Sequence, residues 1–144
     1  MKGLAVSDKN HWARFESVQA HYTVAGCDLE REVVHLIQDQ QLGLMVWSPL
    51  AAYLLSGKFT PDGKGPDGAK CANFDFPVID KARTFKVVNA MRPIAEQYQA
   101  TVAHVALAWL LSRPQVSSVI LGVKTRDQLK ENLGASGLVL TSED

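Results

Sequence analysis

Short apolar stretches alternate along this chain with stretches in which apolar residues return every three or four positions. Residues 16–21 (Glu-Ser-Val-Gln-Ala-His) read as a short strand. Thr23 to Cys27, with Gly26, reads as a loop. Asp28 is then a good helix N-cap, with Glu30 and Glu32 favourable in the first turns. Leu29, Val33, Leu36 and Ile37 follow helical spacing, and Gly43 is expected to stop that helix. Leu44-Met45-Val46-Trp47 is continuously apolar, as in a strand covered on both faces, and Ser48-Pro49 ends it. A helical turn is expected over Leu50–Gly57. Residues 59–79 carry Pro61, Gly63, Gly65, Pro66, Gly68 and Pro77 and read as a long loop, a length that usually signals function or mobility. Asp80 opens a helix to about Gln99, and Thr101 caps a very apolar second one that Arg113-Pro114 ends. Val116–Leu121 is a third strand and Gly122–Thr125 a loop. Thr125-Arg126-Asp127-Gln128 is a capping-box pattern opening a helix that Gly134 closes.

Strand and helix therefore alternate, which predicts parallel strands joined by right-handed crossovers. The expected fold class is α/β: about three parallel strands with flanking helices, a partial barrel occupying residues 1–144 as one domain. No strand signal precedes the first strand, and Thr141-Ser142-Glu143-Asp144 reads as the opening of another helix. Both ends look like cuts inside a larger α/β fold. Such a piece is expected to expose two strand edges and an apolar inner sheet face, and so to self-associate.

Composition narrows the function. The 144 residues are 47% hydrophobic, which is globular rather than disordered. Fifteen basic and fifteen acidic residues cancel, and no basic run stands out, which argues against nucleic acid or an anionic membrane as partner. The longest apolar stretch, near Val102–Leu111, is too short to cross a bilayer. Met1 to Asp8 turns polar too soon for a signal peptide. Cys27 and Cys71 have no metal-ligand spacing and read as free thiols of a cytoplasmic protein.

Gly63-Lys64-Gly65-Pro66-Asp67-Gly68 matches GxGxxG, but it lacks the preceding strand and following helix that a dinucleotide cradle needs. The strand ends are more informative, because parallel α/β folds bind ligands at the carboxyl ends of their strands. Here those ends carry Gln19 to Tyr22, Trp47 to Leu50, and Gly122 to Thr125. Trp47 can offer a flat face to a planar ring. Lys124, beside the helix start at Thr125–Gln128, can meet a phosphate.

These residues carry a resemblance. Ser17-Val18-Gln19-Ala20-His21-Tyr22, Asp28-Leu29-Glu30-Arg31-Glu32, Val46-Trp47-Ser48-Pro49-Leu50 and Leu54-Leu55-Ser56-Gly57-Lys58-Phe59 resemble the aldo-keto reductases. Ala106 to Leu110, Ile120 to Lys124 and Gln128 to Leu133 continue the match in order. That family is an eight-stranded TIM barrel that reduces carbonyls with NADPH. The likeness covers its C-terminal part, from the helix before the sixth strand through the eighth, whereas a whole barrel takes about 250 residues.

The resemblance implies an NADP(H) site. Gln19 would bond the nicotinamide carboxamide and Trp47 would stack on its ring. Ser48, Pro49, Leu50 and Ala51, with Lys58, would line the pyrophosphate. Gly122, Lys124, Gln128, Glu131 and Asn132 would hold the adenosine end, with Lys124 and Arg126 near a 2′-phosphate. Two departures stand out. Ala52 and Tyr53 replace residues that are usually small, so Tyr53 is expected to crowd the pyrophosphate. The family's proton-donor tyrosine and its partners lie in the N-terminal half, so no catalytic residue is assigned here. His21 and Tyr22 are adjacent on a strand, point to opposite faces and make a poor acid pair. The resemblance thus implies weak NADP(H) binding with little or no carbonyl reduction by this segment alone. The other readings are a non-catalytic nucleotide-binding or assembly module, a truncated relic, or a different activity built on the exposed strand ends.

Overall fold

A computed structural model describes residues 2–62, 64–65, 78–141 and 143. Helix α1 (Lys2–Lys9) leads into strand β1 (Ser17–His21). Helix α2 (Val33–Asp39) connects β1 to β2 (Gly43–Trp47). Helices α3 (Lys81–Gln97) and α4 (Val102–Leu111) precede β3 (Val116–Val119), and α5 (Arg126–Leu133) follows it. The three strands form one parallel sheet in the order β1-β2-β3. The fold is α/β, an open three-stranded piece of a barrel with flanking helices, as the alternation predicts.

Local chemistry explains most boundaries and corrects several. Asp80 caps α3 by accepting from the Arg83 amide at 2.9 Å. Thr101 caps α4 by accepting from the His104 amide at 3.2 Å, and His104 Nδ1 reaches back to the Thr101 amide. Asp28 does not cap a continuous helix. It begins a 3-10 turn (Asp28–Arg31), and the backbone breaks at Glu32 before α2. Nor does Gly43 stop α2. The chain turns earlier, at Gln41 with φ 52°, and Gly43 is already the first residue of β2. Gly43 is needed there because a Cβ would meet Ser117 Oγ at 2.6 Å. Ser117 is the extra residue of a bulge, since Leu44 pairs with Val116 while Met45 pairs with Ser118. The bulge accompanies a β3 that ends at Val119 rather than Leu121. The turn over residues 50–57 reduces to a 3-10 segment, Leu54–Ser56, closed by Gly57 at φ 72°. The expected helix opening at the C-terminus lies partly outside the described residues, as do most of the GxGxxG segment and Cys71.

The core lies between the sheet and the helices. Leu44 and Val46 point to the same side, where they meet Ile37 of α2, Leu110 of α4 and Tyr22. A larger cluster joins Leu50, Ala51 and Leu55 to Val88 and Met91 of α3 and to Val102, Val105, Ala106 and Leu107 of α4. Helix α4 belongs to both clusters, which accounts for its near-uniform apolarity. The opposite sheet face differs from the expectation. It carries Gln19, His21, Met45, Trp47 and Ser118, a mixed rather than an apolar surface.

Tyr22 links the core to pH. Its hydroxyl donates to Glu30 Oε1 at 2.5 Å and its ring lies 5.4 Å from that of Trp109. Burial, then the bond to Glu30, pushes the phenol well above its ordinary value of 10.0. A raised folded-state value stabilises the fold below about pH 10 and ceases to do so as pH rises through it. The stability advantage of wild type over Tyr22→Phe is therefore expected to be about 0.5–1.5 kcal/mol at neutral pH. It should shrink progressively above about pH 10 in denaturant titrations. A difference independent of pH would show that the phenol is not held neutral by this pocket.

Candidate nucleotide site at the strand ends

Alternation along β1 and β2 turns Gln19, His21 and Trp47 away from the helices. The register sets Gln19 opposite Met45 and His21 opposite Trp47, so Gln19 lies one row below the tryptophan. The His21 and Trp47 rings are 5.2 Å apart and tilted by 48°. His21 Nε2 is buried without a hydrogen-bond partner among the described residues. Burial also lowers the His21 pKa below 6.5, so the imidazole is neutral at physiological pH. Tyr22 faces the other way, into the core with Trp109. The pair divides between two faces, as its adjacency predicts.

The chain leaves β2 through a run of strained backbone. Ser48 has φ 49°, and Ala51, Ala52 and Tyr53 follow at 48°, 51° and 70°. Each left-handed non-glycine residue costs about 1–2 kcal/mol. Two bonds hold the turn: the Ala51 amide donates to the Ser48 carbonyl at 3.0 Å, and the Ala52 amide to Ser48 Oγ at 3.4 Å. Pro49, Leu50 and Ala51 are buried. Burial covers backbone as well as side chain here, and the Ala51 amide and the Leu50 and Ala51 carbonyls are already bonded within the turn, so of this run Ser48 is the position left partly open to a ligand.

The loop after β3 meets this run. Tyr53 Oη donates to the Gly122 carbonyl at 3.3 Å. Lys58 Nζ lies 3.5 Å from both carboxylate oxygens of Glu131 on α5. Thr125 caps α5, accepting from the Gln128 amide at 3.2 Å. The Gln128 side chain does not complete a capping box on Thr125. Its Oε1 accepts instead from the Lys124 amide at 2.8 Å, which fixes the loop one residue earlier. Lys124 and Arg126 are exposed, and Asn132 is half-buried on α5. His104 Nε2 bonds the Glu131 carbonyl and so ties α5 to α4.

The structure thus ties the loop that leaves Trp47 and Ser48 to the β3 loop and α5, through Tyr53 to Gly122 and Lys58 to Glu131, with Gln128 bonded to the Lys124 amide. Three features were not evident from sequence. The Tyr53–Gly122 bond joins the two loops, although Tyr53 itself stands out as a large residue at a usually small position. His104 serves as both cap and strut, which the Ser/Thr-x-x-Glu/Gln pattern does not reveal. A cavity of about 480 Å³ beside the β1 end, lined by His21, Thr23, Asp28, Asp80 and Arg83, has no sequence signature. Among the described residues no group of three His, Cys, Asp or Glu could hold a metal, and no helix is long and apolar enough to cross a membrane.

Comparison with known proteins shows the family. A family model described as the aldo/keto reductase family matches residues 4–144. An NADH-specific methylglyoxal reductase of Escherichia coli is 28% identical over 99% of this chain and 45% of its own length. An aldo-keto reductase of Fusarium vanettenii is 31% identical over 92% of the chain and 35% of its own length. A protein of Oryza sativa named "Probable voltage-gated potassium channel subunit beta" is 34% identical over 77% of the chain and 35% of its own length. The chain spans less than half the length of these curated relatives.

Proposed function

Since the chain belongs to the aldo/keto reductase family, a family of oxidoreductases, we propose that its strand ends form the NADP(H)-holding face of such a protein. The carrying observation is the meeting of the β2 and β3 loops, which joins Tyr53 to Gly122 and Lys58 to Glu131 beside the start of α5. The residues fit the nucleotide. A Cβ built on Gly122 meets nothing within 4 Å, so the backbone there borders open space. Lys124 and Arg126 bracket a capped helix start, a setting that favours phosphate. Trp47 stands half-buried on the uncovered sheet face, with an aromatic surface suited to a planar ring.

When bound, NADP(H) supplies hydride transfer at its nicotinamide. This chain's own residues bind and orient. Trp47 and Gln19 position the nicotinamide end, Ser48 and Lys58 the pyrophosphate, and Gly122, Lys124, Gln128, Glu131 and Asn132 the adenosine end, while the buried Pro49, Leu50 and Ala51 shape the turn that presents Ser48. None is placed to donate a proton to a carbonyl. Calorimetric titration with NADPH tests the reading: a saturable isotherm supports it, and no heat at millimolar ligand overturns it. The likeness to a protein named as a probable channel subunit favours a second reading, an assembly module.

The sheet also has a structural consequence. Among the described residues β1 and β3 each pair on one side only. Unpaired parallel edges, together with exposed Trp12, Phe15 and Val139, favour association. The 144-residue chain is expected to sediment as a dimer or larger at micromolar concentration. A clean monomer that binds no dye for apolar surface would exclude pairing through these edges.

A further inference from the structure

We propose that Tyr53 is a latch that closes the nucleotide site in the free protein, so that NADP(H) binds only when the ring has swung out. The proposal rests on the functional reading above and adds a gate to it. Three observations carry it. The Tyr53 hydroxyl donates to the Gly122 carbonyl at 3.3 Å, across 69 residues of sequence, and so joins the loop assigned to the pyrophosphate to the loop assigned to the adenosine end. The ring belongs to neither core cluster and is 40% exposed, so it can leave without opening the interior. Its backbone, at φ 70°, ends a run of three left-handed non-glycine residues, a conformation that holds the side chain at the cost of local strain. The Lys58–Glu131 pair joins the same β2 loop to α5, so the site is strapped at two points.

The bond is a single neutral one at the surface, weak enough for a ligand to displace. Where only a fraction of molecules is open, apparent affinity falls by that fraction. Removing one such hydrogen bond changes an equilibrium about two- to tenfold. Removing the ring as well opens the latch and leaves only the Lys58–Glu131 pair between the loops.

The test is calorimetric titration of NADPH into wild type, Tyr53→Phe and Tyr53→Gly, with adenosine 2′-phosphate as a second ligand. The second ligand reaches the Lys124 end but has no pyrophosphate. NADPH should bind Tyr53→Phe about two- to tenfold tighter than wild type, and Tyr53→Gly about tenfold tighter or more. Adenosine 2′-phosphate, which meets the exposed Lys124 side chain and has no pyrophosphate to pass Tyr53, should gain less than NADPH in both variants. Glycine accepts the left-handed backbone, so Tyr53→Gly should melt no lower than wild type; Tyr53→Phe keeps ring and backbone and reports on the bond alone. The latch is overturned, with the nucleotide reading intact, if wild type binds NADPH and neither variant binds it tighter. It is also overturned if adenosine 2′-phosphate gains as much as NADPH. If no protein binds either ligand, the nucleotide reading falls and the latch falls with it.

Discussion

Lys124→Ala is expected to weaken NADPH binding about ten- to a hundredfold while leaving NADH binding nearly unchanged. The difference between the two nucleotides is the 2′-phosphate, and a charge-assisted contact to it is worth roughly 1.5–3 kcal/mol. Lys124 is the residue for this contact on structural grounds. Its amide is fixed by Gln128 Oε1 at 2.8 Å, which holds the loop, while its side chain stays exposed beside the start of α5. Arg126 is the other cation at this end, so Arg126→Ala should show a smaller loss of the same kind. Family membership does not by itself set the preference, since one relative is named as NADH-specific. Absolute affinity should be low in wild type, because the loops are tied by Tyr53–Gly122 and Lys58–Glu131. Parallel titrations of wild type and Lys124→Ala with both nucleotides decide the matter. Equal titration of the two proteins by NADPH would remove Lys124 from the site.

The parts of the fold that were legible in sequence are those governed by local chemistry. Asp80, Thr101 and Thr125 each announce a helix start because a short polar side chain can satisfy an orphan amide, and each does so. The short apolar run at Leu44–Trp47 announces a strand, but one expected to be covered on both faces, whereas only the helix side, with Leu44 and Val46, is buried. The break at Glu32 was not legible, because Asp28 and the apolar spacing after it fit one helix equally well. The turn at Gln41 was hidden because a glycine two residues on offered a more usual stop. The β3 bulge depends on pairing with a strand some seventy residues earlier, which no local pattern encodes. The candidate site divides in the same way. Lys124 and Gln128 were readable from the helix start they flank, whereas the Tyr53–Gly122 and Lys58–Glu131 links, across 69 and 73 residues, exist only once the sheet has formed. The uncovered face reads as mixed once register is known, because Gln19, His21 and Ser118 share it with Met45 and Trp47.

Carbonyl reduction by this 144-residue segment with NADPH should fall short of ordinary enzyme turnover by about two to four orders of magnitude, the usual contribution of a positioned general acid. Each tyrosine or histidine near Trp47 in sequence or space is either committed elsewhere or held neutral. Tyr22 is turned into the core, and its hydroxyl is committed to Glu30 at 2.5 Å. Tyr53 donates to the Gly122 carbonyl, and its hydroxyl serves that link rather than the face that carries Trp47. His21 lies against Trp47, but burial keeps it neutral, which removes the imidazolium that would act as an acid at neutral pH. A protonated His21 would carry a cost in the fold, since a lowered folded-state pKa means stability that is present above pH 6.5 and lost as pH falls through it. Steady NADPH oxidation with a simple aldehyde, followed at neutral pH and at about pH 5.5, measures the point. Little turnover at either pH is the expected result. Turnover at about 1–10³ per second would contradict it, and the variants then locate the source. Loss in His21→Gln alone would identify the imidazole as the proton donor, and loss in Tyr22→Phe alone would mean that the core tyrosine reaches the opposite face during the reaction.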